Sequence, residues 1–194
     1  MWAARAEDGY LIGGLTRTCV ESLRGVPMLL ESNDERVRQR LLPETYQDAE
    51  EEVQWRRHAA PELERLFLSR AQLVRKDLAA MRQLKSADSW VLIVPDTHTN
   101  AWLASLNAAR VALYVLNDLK AHHLEREGET LGTEKQREAV QRIHFLAEIQ
   151  CILMGEVEAL DDFGCDGDDP DPDHDLGSDF GDGGGDPFGG MPRT

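Results

Sequence analysis

Apolar residues recur at spacings of three and four along the first 160 positions and then all but disappear. Leu15, Cys19, Leu23 and Val26 set the first stripe, because residues three and four apart share one face of an α-helix. Pro27 falls inside that stripe and is expected to kink or divide the helix. Residues 48–58 begin acidic and end basic, the order that suits a helix macrodipole. Pro61 is placed to open the next helix, whose stripe runs through Leu63, Leu66, Phe67, Leu73, Leu78, Met81 and Leu84. A long helix is predicted from about residue 100 to about residue 122, carrying Trp102, Leu103, Leu106, Leu113 and Leu116. Thr133 and Gln136 match a capping box. The last helix should run from there to about residue 160 and bury a broad face that includes Val140, Ile143, Leu146, Ile149 and Leu153.

Two stretches break the helical period. Residues 90–94 are an apolar, partly β-branched run stopped by Pro95, and residues 10–12 end at Gly13 and Gly14. Paired, they would make a small patch. The expected fold class is therefore all-α or nearly so: a helical bundle over residues 1–160 with at most a two-stranded β patch, then a tail over 161–194.

Charge sharpens that division. The tail holds eleven Asp against one Arg, so it carries two thirds of the formal charge of −15. So little apolar surface cannot offset chain entropy, and the tail is expected to be disordered. The acidity of the chain excludes most nucleic-acid binders, which need clustered Lys and Arg, and disfavours anionic membranes. It suits basic partners and cations. Three cysteines, Cys19, Cys151 and Cys165, make no disulfide framework. Acidic residues stand near the N-terminus where a signal peptide would be apolar, and a cytoplasmic location is expected.

Candidate chemistry is sparse. No Gly-x-Ser-x-Gly, P-loop or His-Glu-x-x-His occurs. Asp118 with His122, and His144 with Glu148, are each four apart, and on antiparallel helices the four residues would converge as a metal cluster. Solvated ion pairs near helix ends are the simpler reading. In the tail, Asp171, Asp173, Asp175, Asp179 and Asp182 mimic the spacing of an EF-hand loop, but Leu176 replaces the glycine and no helices flank it. The Phe-Gly pairs at Phe163, Phe180 and Phe188 could dock a partner or simply keep a solubilising tail. No cofactor is indicated.

The most specific string is Trp102-Leu103-x-x-Leu106-Asn107-x-x-Arg110-x-x-Leu113. Asn107 and Arg110 are neighbours on a helix surface and would need hydrogen-bond partners. They would serve either as a buried polar network or, with Trp102, as a groove for a partner peptide. This string resembles the signature helix of the actinobacterial family catalogued as domain of unknown function two thousand and seventeen. Arg40, Leu41, Leu42, Pro43, Tyr46 and Asp48, followed by Glu51 and Arg56, resemble its second characteristic stretch. The resemblance implies a helical cytoplasmic protein and confers no activity. It also implies a proteostasis setting, since such proteins are often encoded beside the adaptor of the Clp protease.

The function expected from these residues is a non-enzymatic interaction or regulatory protein with a protein partner. The partner would bind near Trp102, Asn107 and Arg110. The competing readings are a metal-dependent helical enzyme built on Asp118, His122, His144 and Glu148, and a structural subunit of a homo-oligomer.

Overall fold

The computed structural model describes residues 1–84, 88–125 and 132–156. Strands β1 (Trp2–Ala6) and β2 (Gly9–Leu15) form a hairpin in which Ala6 faces Gly9 across a two-residue turn. Helix α1 (Arg17–Leu30) follows, and its N-cap Thr16 accepts from the Cys19 amide. Next come α2 (Glu35–Leu41), α3 (Ala49–His58) and α4 (Ala60–Ala79). Strands β3 (Arg82–Leu84) and β4 (Ser89–Pro95) lead into α5 (Asp96–Leu116), and α6 (Glu134–Met154) comes last.

The expected fold class needs correction. Residues 90–94 do form a strand, and it pairs with residues 10–12, with Tyr10 opposite Val94 and Ile12 opposite Leu92. Two further strands flank that pair, giving one antiparallel sheet in the order β1-β2-β4-β3. The molecule is thus helical with a four-stranded sheet, not an all-α bundle with a two-stranded patch. Strand β1 lacks an alternating pattern and is rich in alanine, a weak strand former. Strand β3 has three exposed residues and owes its form to pairing with β4.

One face of the sheet is dry. Ala3, Ile12, Leu15, Leu92 and Val94 are buried there. Helices α1, α4 and α5 contact the sheet, and α6 packs on α5. The pairing register slips between Ile12 and Leu15, where Gly14 sits at φ +66°. That bulge keeps Leu15 facing the core. At Gly9, a Cβ would run into the Val94 carbonyl, so glycine is required where β2 passes β4.

Several helix boundaries also move. Helix α1 continues through Pro27 to Leu30, although the proline removes an N–H from the ladder. In α4 the buried residues are Ala60, Ala71, Val74, Asp77 and Leu78, while Leu63 and Leu66 are exposed. Helix α5 ends at Leu116 rather than near residue 122. Asn117 turns its side-chain amide onto the Leu113 carbonyl at 2.7 Å, and Asp118 adopts φ +50°. A 3-10 turn follows at Ala121–His123. Helix α6 starts at the predicted capping box, with the Thr133 amide 2.9 Å from Gln136 Oε1. It closes on Gly155 at φ 73°.

Among the described residues no helix is long and apolar enough to cross a membrane. The chain separates into units over Met1–Asp162 and Phe163–Thr194. The second unit, with the EF-hand-like spacing, the Phe-Gly pairs and Cys165, lies outside the described residues.

Candidate functional site

Helix α5 carries the signature string, and its placement separates the residues in it. Trp102 is wholly buried. Its indole Nε1 donates to Asp77 Oδ2 at 2.8 Å, and His98 Nδ1 lies 2.9 Å from the same oxygen. His98 and Trp102 are four apart, so one face of α5 presents both rings to α4. A buried carboxylate must be hydrogen-bonded, and here two ring nitrogens meet that need. A carboxylate–imidazole pair is also a common acid–base device. In this one the carboxylate is shared with a buried indole, which ties α4 to α5.

Asn107 is exposed. Arg110 is half-buried and reaches α6, where Nη1 donates to Gln150 Oε1 at 2.6 Å. Gln150 returns its own N–H to the Leu103 carbonyl at 3.1 Å. So Trp102, Asn107 and Arg110 occupy a core, a surface and an interhelical setting. Arg110 belongs to a polar clasp between α5 and α6.

The proposed metal ligands are scattered. Asp118 and His122 lie beyond the end of α5, in a turn and a 3-10 segment. Asp118 pairs with Arg36 at 3.4 Å, and the His122 ring lies against His123 with centroids 4.2 Å apart. His144 and Glu148 are on α6. Among the described residues no group of three or more His, Cys, Asp or Glu side chains is placed to hold a metal ion. Cys19 and Cys151 are half-buried free thiols.

A cleft that the pattern of the chain did not mark opens between α1 and α6. Its volume is about 560 Å³, within the usual range of small-ligand pockets. Cys19, Glu21 and Ser22 line it from α1, and Glu138, Arg142 and Phe145 from α6. Arg142 is the chemical centre. Burial pushes its guanidinium down from the usual arginine range, while Glu138 acts through space to raise it. Its Nε is buried and finds no acceptor among the described residues.

Gly25 explains how Arg142 fits. A Cβ at Gly25 would stand 2.5 Å from Arg142 Nη2. A glycine within a helix costs roughly 1 kcal/mol against alanine, and here the missing side chain is the space in which the guanidinium rests. A glycine inside an apolar stripe was therefore the signal in the sequence. For Asp77 the signal was weaker: a buried Trp needs an acceptor, but nothing local names it.

A family model described as Domain of unknown function (DUF2017) matches residues 12–157. No curated protein matches the chain. No solved structure matches it either.

Proposed function

This chain belongs to the family described as Domain of unknown function (DUF2017), and from that premise we propose that it is a non-enzymatic interaction or regulatory protein whose recognition face is the α1–α6 cleft. One observation carries the reading: a half-buried arginine lines a cleft of about 560 Å³, and its guanidinium is desolvated more than the nearby Glu138 compensates. Burying a cation is unfavourable where the counter-charge offsets only part of the cost, as Glu138 does here, and a partner carboxylate at the guanidinium would relieve the rest. Trp102 is wholly buried, which favours this cleft over the α5 ridge as the recognition face. The proteostasis setting implied by the family is where the partner would be sought first.

The test is affinity capture from native lysate with the full chain and with Arg142→Glu. A partner held by the first and lost by the second, at an unchanged thermal midpoint, supports the cleft. A partner held equally by both removes it.

A further inference from the structure

We infer that the α1–α6 cleft takes a monoanionic carboxylate attached to an aromatic or similarly apolar body. Arg142 would hold the carboxylate and Phe145 would flank the body. This rests on the cleft being the recognition face and names the chemistry of what enters it.

Arg142 supplies a planar fork of donors, a shape that matches a carboxylate in two parallel hydrogen bonds. Its counter-charge is Glu138, four residues away on the same helix and acting through space, and its buried Nε has no acceptor among the described residues. The fork is held in place: Gly25 leaves room for Nη2 on α1, and the arginine stem rises from α6. Phe145 stands on the same wall one turn along, since residues three apart on a helix are neighbours. Carboxylate and ring on the ligand would then meet guanidinium and ring on the protein.

The charges at the cleft select among anions. Glu21 and Glu138 also line it. Glu21 is paired with Arg17 at 3.1 Å, which leaves Glu138 as the main repulsive charge. Coulomb repulsion scales with ligand charge, so Glu138 opposes a dianion about twice as strongly as a monoanion. The volume of about 560 Å³ is also larger than a bare inorganic ion needs and suits a ring with a short arm.

The experiment is calorimetric titration of the full chain with three probes: 3-phenylpropionate, its neutral counterpart 3-phenylpropan-1-ol, and inorganic phosphate. The expected result is saturable binding of 3-phenylpropionate, with the alcohol and phosphate at least tenfold weaker. Arg142→Gln should weaken the carboxylate at least tenfold. Gly25→Ala should weaken it too, by moving the guanidinium without deleting it, and its thermal midpoint should not fall below that of the parent. That second variant keeps the test decisive if Arg142→Gln folds poorly. Absence of saturation, equal affinity for the alcohol or for phosphate, or an affinity indifferent to both substitutions would overturn the inference. If 3-phenylpropionate fails to bind while Arg142→Glu still abolishes partner capture, the ligand chemistry falls and the recognition face survives. The opposite pair of results removes the partner reading and leaves a small-molecule site.

Discussion

Asp77 Oδ2 and Trp102 Nε1 lie 2.8 Å apart inside the protein, and by that contact a carboxylate on α4 and an indole on α5 fix the packing of two helices. His98 shares the carboxylate at 2.9 Å from the first turn of α5. Hydrogen bonds to a charged group contribute about 1.5–3 kcal/mol each, and a buried group left without its partner costs more than the average bond is worth. Asp77→Ala should therefore lose about 2–4 kcal/mol in urea unfolding. Asp77→Asn, which keeps an acceptor for the indole, should lose less. In a double-mutant cycle with Trp102→Phe the two changes should couple by about 0.5–3 kcal/mol. Strict additivity would mean that the contact carries no energy.

The clasp between α5 and α6 makes a second prediction. Gln150 accepts from Arg110 at 2.6 Å and donates to the Leu103 carbonyl at 3.1 Å. Gln150→Leu keeps the volume and deletes both bonds. The expected loss is about 1–3 kcal/mol, because the half-buried Arg110 guanidinium is left without this acceptor, while the Leu103 carbonyl keeps the helical amide four residues on. An unfolding midpoint equal to the parent would show that water replaces it.

How much of this could be read beforehand depended on how local each cause was. The helices around Leu23, Leu78, Leu106 and Leu146 were visible because their spacing is local, and Thr133 with Gln136 marked a true helix start. The pairing of residues 10–12 with residues 90–94 was visible because both runs are apolar. Strand β3 was not, because exposed Arg82, Gln83 and Leu84 are strand only by virtue of their neighbour. The partners of Trp102 and Arg110 lie 25 and 40 residues away along the chain. No local period reports such a distance, and the arginine that opens into the cleft was hidden in a broad apolar helix for the same reason.

Two glycines should respond differently to alanine. At Gly9 a Cβ would meet the Val94 carbonyl, which is backbone and cannot swing away. Overpacking of this kind costs about 1–3 kcal/mol, and Gly9→Ala should also disturb the β2–β4 register. At Gly155 nothing lies within 4 Å and only the left-handed φ of 73° resists. Gly155→Ala should cost about 1–2 kcal/mol and leave the sheet unchanged in amide spectra. A sheet spectrum unaffected by Gly9→Ala would contradict the close approach.

Acid should release the segment ahead of α3. The Glu52 carboxylate accepts from the Tyr46 amide at 3.0 Å, the Thr45 amide at 2.9 Å and Arg56 at 2.7 Å. These bonds, the two backbone amides foremost, hold it below the ordinary glutamate value. A carboxyl whose folded pKa is depressed adds stability that is fully present above its unfolded pKa, about 4.3. That stability is lost as pH falls through the lower folded value. Glu52→Gln should thus lower the urea midpoint at pH 6, and the gap to the parent should close on acidification below about pH 4. A gap that stays constant across that range would refute the assignment.

Strand β4 passes into α5 at Pro95 and Asp96 without a loop. That junction is held by the other end of the described chain: Arg5 grips the Asp96 carboxylate at 2.5 and 2.8 Å, and the Asp96 amide donates to the Asp8 carbonyl at 2.9 Å. Arg5 and Asp96 are 91 positions apart. Contacts of that span form late, because a long loop must close before they contribute. The turn that carries His98 is tied to Asp77 on α4 and gains this second hold when the first hairpin docks beside β4. On a growing chain, α5 would therefore gain the anchor at its origin only once a hairpin made some 91 positions earlier had come back to meet it.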